Sequence, residues 1–247
     1  MTDIVCDASS IISLATNCLL WLLPSLRERM GGNFIIPPSV RRELIDKPLK
    51  STRYRFEAIR VVRALEQGDI VIPEDPELKT RVAVDAEQLL SWGNSIFAIG
   101  RPRKGRSGRY AKIFHLGEAE AVAMTRHMET NVLLIDEKTT RFLIEDPQEL
   151  VRIIERRTKA KVYVNDHSLQ QFMTYTKDIQ IIRSAELALA AYEAGLFRAF
   201  RSDGIDQERH IVSGVLHAIR NSGCAIGSSE IDDYVSLEFG EVRADEE

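Results

Sequence analysis

Cysteine is scarce in this 247-residue chain: Cys6, Cys18 and Cys224 stand far apart, with no CxxC pair among them. An odd, scattered set excludes a disulfide scaffold and a zinc finger, and it favours a reducing compartment. A surplus of positive charge is missing too. Thirty-three Lys and Arg face 37 Asp and Glu, a formal net charge of −4, so nucleic-acid binding requires a local basic patch. The five histidines show no HExxH spacing, and His210 and His217, one heptad apart, supply two ligands at most. There is no GxxxxGK[ST] loop for ATP hydrolysis. An uninterrupted apolar span is also lacking: residues 4–23 are apolar-rich but carry Asp7, Ser9, Ser10, Ser13, Thr16 and Asn17, and no basic segment precedes them. A charge at mid-bilayer costs about 2.5–3.5 kcal/mol, so the expectation is a protein with no membrane partner, in the cytoplasm.

The material present is ordinary for a folded chain. Hydrophobic residues make up 44% and charged residues 28%, which excludes disorder throughout and allows one large core. Residues 3–6 form a short apolar run ending on Asp7, and a helical pattern follows through Ile11, Ile12, Leu14, Ala15, Cys18, Leu19, Leu22 and Leu23, with Ser9 or Ser10 as its N-cap. Residues 33–36 predict a second strand, broken by Pro37-Pro38, with Ser39 capping a helix that carries Glu43. A charged helix and the strand-like Ile70-Val71-Ile72 follow within 51–72, then a helix over about 77–92. Residues 101–112 hold six Arg/Lys, two Gly and no acid, and read as a flexible basic loop. A helix over 115–129 leads to Asn131-Val-Leu-Leu-Ile135, a continuous apolar run of the buried parallel-strand type, which ends on Asp136. This alternation predicts an α/β fold with a mostly parallel central sheet flanked by helices. Residues 148–158 read as helix and 161–164 as strand; the remainder reads as helices over 166–176, 183–197, 207–221 and 228–237, and 238–247 as a frayed acidic tail.

Four acids occupy positions that can converge. Asp7 and Asp136 follow apolar strands, whose tips face the ligand crevice of a parallel sheet. Glu43 lies early in the helix after the second strand, and Glu118 near the start of the helix leading to Asp136. Carboxylates meeting at one crevice repel unless a cation sits between them, and hard oxygen ligands select Mg²⁺ or Mn²⁺. Such a site activates water against a phosphodiester. Each acid also has a plain structural reading: Asp7 and Asp136 as helix caps or turn formers, Glu43 as a solvated helix residue, Glu118 as a favourable charge at a helix N-terminus.

Four segments in order resemble the PIN-domain nucleases. They are Asp7-Ala-Ser-Ser-Ile-Ile-Ser-Leu-Ala15, Ile36-Pro-Pro-Ser-Val-Arg-Arg-Glu-Leu44, Leu116-Gly-Glu-Ala-Glu-Ala-Val-Ala-Met124 and Leu133-Leu-Ile-Asp-Glu137, with 18 residues between Glu118 and Asp136. The likeness is to the GEAEA-type branch, related to the toxins of toxin–antitoxin pairs. It covers residues 1–150 as the nuclease domain, with an insertion over about 48–112. Residues 151–237 resemble the C-terminal helices of a subgroup and are expected as a helical extension packed on the same domain. The resemblance implies a metal-dependent endoribonuclease. Asp7, Glu43, Glu118 and Asp136 would be its catalytic acids, Asp7, Glu118 and Asp136 its ligands to Mg²⁺ or Mn²⁺, and Ser9 and Thr140 its supporting hydroxyls. It also implies RNA, single-stranded, as substrate, and a homodimer or an antitoxin-like or RNA-processing protein as partner.

The basic loop admits two readings: a solvated insertion, or an arm tracking phosphates through Arg101, Arg103, Lys104, Arg106, Arg109 and Lys112, with Tyr110 stacking on a base. Two other functions remain open. One is a nucleic-acid-binding or scaffold protein with a vestigial acidic site. The other is an aspartyl phosphoryl acceptor, which wants a second acid close to Asp7 where Ala8-Ser9-Ser10 supplies none.

Overall fold

The computed structural model describes residues 2–100, 109–200 and 207–240. The chain starts with β1 (Ile4–Cys6), every residue buried, followed by α1 (Ala8–Thr16), α2 (Leu22–Met30) and β2 (Phe34–Ile35). A short α3 (Pro38–Arg41) widens into a π-helical turn (Arg42–Asp46), then a 3-10 turn (Pro48–Lys50). Next come α4 (Arg55–Glu66), β3 (Ile70–Val71), the long α5 (Pro76–Gly93), β4 (Phe97–Ile99) and β5 (Arg109–Tyr110). The second half holds α6 (Leu116–His127), β6 (Val132–Leu134), α7 (Lys138–Glu145), α8 (Pro147–Thr158), β7 (Val162–Val164) and α9 (Asp166–Thr176). It closes with β8 (Gln180–Ile182), α10 (Ser184–Glu193), α11 (Gln207–Asn221) and α12 (Ser228–Phe239).

Five strands form the central sheet in the order β3-β2-β1-β6-β8, and every pairing is parallel. Val5 lies opposite Ile35 on one side and Leu133 on the other. Alternate residues feed opposite faces, as strand geometry requires. Ile4, Cys6, Phe34 and Ile70 join one apolar core with α1, α2, α4 and α10–α12; Val5, Ile35, Leu133 and Ile135 join a second with α5, α6 and α9. The fold is therefore α/β with a mostly parallel sheet covered on both faces, consistent with a PIN-like architecture. A smaller antiparallel sheet, β5-β4-β7, lies beside it, with Ala98 between Tyr163 and Tyr110. No helix among the described residues is long and apolar enough to cross a membrane.

Several elements differ from the sequence expectation. The basic segment is not loop throughout: Arg109–Tyr110 pairs with β4, while residues 101–108 lie outside the described residues. The stretch expected as an insertion supplies β3, an edge of the central sheet, and α5, which packs along α6. β7 falls on the strand expected over 161–164, but the remainder of the segment, expected as helical, also supplies β8, which completes the central sheet. Of the acidic tail, residues 241–247 lie outside the description.

Candidate functional site

The chain leaves β1 toward β2 on one side, while β6 lies on the other. This reversal of direction opens a crevice at the carboxyl ends of β1 and β6, where open parallel sheets bind ligands. Asp7 stands at the end of β1 and Asp136-Glu137 just beyond β6.

Asp7 is the N-cap of α1, in place of the expected Ser9 or Ser10. Its backbone is extended, with ψ 163°, and its Oδ2 accepts from the Ser9 amide at 3.0 Å and the Ser9 hydroxyl at 2.7 Å. Ser9 Oγ in turn accepts from the Asp136 amide at 3.0 Å, and the Ser10 hydroxyl donates to the Asp7 and Leu134 carbonyls, so the tips of β1 and β6 are pinned together. Burial raises the Asp7 pKa; Ser9 works against the shift and the charge of Glu43 adds to it.

Glu118 sits in the first turn of α6, and its Oε2 accepts from the His115 amide at 2.6 Å, closing the start of the helix. It is buried, and burial first, then the charges of Asp7 and Glu137, push its pKa up to about 8. Glu43 lies half-buried in the π-helical turn. A Cβ added at Gly117 would stand 3.3 Å from Glu43 Oε1, so the glycine lets this carboxylate lie against the start of α6. Ser39, expected as a cap, is replaced there by Pro37. Its amide donates to Glu120 Oε2 at 2.9 Å, tying α3 to α6.

Asp136 and Glu137 divide. Asp136 is fully buried, and both its oxygens are engaged: the Ser184 amide donates to Oδ1 at 2.8 Å and the Ser184 hydroxyl to Oδ2 at 2.6 Å. Its charge is felt at Cys224, whose thiol is pushed up to about 12 by burial first and then by Asp136. Glu137 caps α7 by accepting from the Thr140 amide at 2.6 Å, and it lies within electrostatic reach of Glu118. Thr140 Oγ1 is buried with no partner at full hydrogen-bond distance, yet close enough to Glu118 to pull its pKa slightly down.

The structure thus brings Asp7, Glu43, Glu118 and Thr140 together, with Ser9 bracing Asp7, and turns the Asp136 carboxylate toward Ser184. Glu137 is the acid that sequence reasoning passed over, although it follows Asp136 directly. Asp7, Glu118 and Glu137 share one device: each spends an oxygen on the amides of its own helix N-terminus, whose partial positive charge offsets part of their mutual repulsion. Lys112 is exposed; Arg101, Arg103, Lys104 and Arg106 lie outside the described residues, as does the Arg109 side chain.

Among the described residues, no group of three or more His, Cys, Asp or Glu is assembled to hold a metal ion. The donors at the crevice are nevertheless all hard oxygens of like charge. Mg²⁺ keeps several waters and takes one or two carboxylates directly, and Asp7 with Glu118 fits that demand. Comparison with protein-family models, with curated proteins and with solved structures finds no match.

Proposed function

We propose that the chain is a divalent-metal-dependent ribonuclease, an endonuclease of PIN-domain type acting on single-stranded RNA. The observation that supports this reading best is the meeting of Asp7, Glu43 and Glu118, from three different elements, at the crevice between β1 and β6. Asp7 and Glu118 would hold Mg²⁺ or Mn²⁺, with Glu43 and Glu137 around them. The bound ion supplies polarisation of a phosphodiester and an activated water. Ser9 holds the Asp7 carboxylate in place. Asp136, engaged by Ser184, acts as a positioning acid that locks the β6 tip, and Glu137 takes the outer place in the acid set. Free Cys6, Cys18 and Cys224 suit a reducing, cytoplasmic setting.

The test is cleavage of labelled single-stranded RNA with and without Mn²⁺. Asp7→Asn should abolish metal-stimulated cleavage with the fold intact; retained cleavage would remove Asp7 from the site. Asp136→Asn and Glu137→Gln separate the two neighbouring acids through metal dependence: only Glu137→Gln should raise the Mn²⁺ concentration needed for half-maximal rate.

One observation favours a second reading, a nucleic-acid-binding or scaffold protein with a vestigial site: the described acids do not form a three-donor cage. Wild-type protein that binds RNA but cleaves none at any Mn²⁺ concentration would establish it.

A further inference from the structure

The described surface holds a second cationic feature, on and before a helix whose sequence pattern is plainly amphipathic. Between residues 47 and 63 stand six cations (Lys47, Lys50, Arg53, Arg55, Arg60, Arg63) and a single acid, Glu57, in a chain whose net charge is −4. Among the described residues none of the six forms an ion pair. Two aromatic rings are interleaved with them and face solvent: Phe56 is 63% exposed and Tyr54 48%. The Arg60 guanidinium carbon lies 4.6 Å from the Phe56 ring centroid, and that of Arg53 lies 5.0 Å from the Tyr54 centroid. Exposed rings held by arginines among unpaired cations form a surface on which bases stack while phosphates are neutralised.

Its position ties it to the acid crevice. Helix α4 packs on α1 and on the π-helical turn that carries Glu43. Arg60 Nη1 donates to the Ala15 carbonyl at 2.8 Å, at the far end of the helix that Asp7 caps. Eight residues of helix separate the two, about 12 Å, a span of a few nucleotides.

We infer that the start of α4, with Tyr54 and Phe56 as stacking rings and Lys47, Lys50 and Arg53 as phosphate contacts, is a docking platform for single-stranded RNA leading into the crevice. The inference rests on the ribonuclease reading and adds where the strand lies. A symmetric homodimer through this face is disfavoured by charge, since an isologous contact would set six cations against the same six.

The test is fluorescence anisotropy with a labelled 12-nucleotide single-stranded RNA in EDTA, so that binding is read without cleavage. Phe56→Ala and Tyr54→Ala should each weaken binding about 10-fold, and Phe56→Trp should retain it. Lys47→Gln and Lys50→Gln should each reduce the slope of log K against log salt by about 0.7. All these side chains are exposed, so unchanged thermal melts are the folding control, and the lysine variants serve if an aromatic variant fails it. The platform is overturned by any of four results: no RNA binding by the wild type, affinity and slope unchanged in every variant, RNA binding retained while a dimer is lost, or capture of phosphatidylserine vesicles in place of RNA. RNA binding that depends on Phe56 without any metal-dependent cleavage would defeat the nuclease reading and keep the platform. Cleavage with binding indifferent to Tyr54 and Phe56 would do the reverse.

Discussion

Two clusters of charge stand beyond the carboxyl ends of the central strands, and they are built on opposite plans. At the crevice, Asp7, Glu43, Glu118 and Glu137 are all acids, and Asp7, Glu118 and Glu137 are met by hydroxyls and helix amides. At the start of α10 the signs are matched. Arg183, 5% exposed, is paired with Glu186 and with Glu230 at 2.5 Å, donates to the Ala225 carbonyl at 3.1 Å and lies beside Tyr234. Burial alone would raise the pKa of Glu186 and Glu230, but Arg183 holds both below the usual carboxylate range. Unmatched acidic clusters recur at ligand sites, whereas a matched one is complete in itself.

Truncation disturbs this contrast most severely. Ending the chain at residue 150 removes β8, Ser184 and the whole matched cluster, and uncovers the core face that Leu187, Ala188, Leu216 and Ile219 close with α1. An insoluble or molten product is expected by near-UV circular dichroism; a soluble, cooperative and active 1–150 fragment would make the C-terminal part a separate module. Next, Arg183→Leu leaves two carboxylates facing each other. The expected loss is about 2–3 kcal/mol in urea unfolding, at the low end for a buried pair because Glu186 and Glu230 reach water.

The two clusters should also respond to pH with opposite sign. Glu118, raised to about 8, binds its proton more tightly in the folded chain than in the unfolded one. The folded chain therefore loses stability as pH rises from the ordinary glutamate range through about 8. Glu186 and Glu230 are lowered, so their contribution is present above the ordinary range and lost as pH falls through their folded values. Glu118→Gln should accordingly raise the melting temperature at pH 8, by about 1–2 kcal/mol of stability, and leave it unchanged at pH 4. Mn²⁺ should flatten the alkaline slope of the wild type and have no such effect on the variant. A smaller effect is expected from neutralising Arg101, Arg103, Lys104, Arg106 and Arg109 together. The salt dependence of RNA binding should flatten, by about 0.7 in slope for each phosphate no longer neutralised. An unchanged slope would return that segment to a solvated insertion.

Much of the crevice could be read from the chain because its parts are local. An apolar triplet, an acid and a capped helix declare the β1–Asp7–α1 unit within about a dozen residues, and Asn131–Ile135 declares β6 by continuous hydrophobicity. The division of labour between Asp136 and Glu137 was not legible. Adjacent residues at a strand tip point to opposite sides, and Asp136 turns inward because Ser184, 48 residues away, donates to its carboxylate. β8 escaped because Gln180 interrupts the short apolar run Ile179–Ile182, and β4 because Phe97–Ile99 lies in a stretch without clear periodicity; both are strands only through their pairing. The platform on α4 was legible in composition, but only the fold sets Tyr54 and Phe56 outward and next to the turn that carries Glu43.

The late arrival of β8 has a consequence during synthesis. β6 ends at Leu134 and its partner strand ends at Ile182, 48 residues later. At about 5–20 residues per second, the ribosome leaves that flank of β6 open for about 2–10 s. In this interval the strand presents a bare row of amides and carbonyls to neighbouring nascent chains, and Asp136 waits for Ser184. The acid crevice therefore matures only after residue 184 has emerged. Slowing translation beyond residue 134 should increase aggregation of newly made chain, and co-expressing residues 151–247 in trans should relieve it.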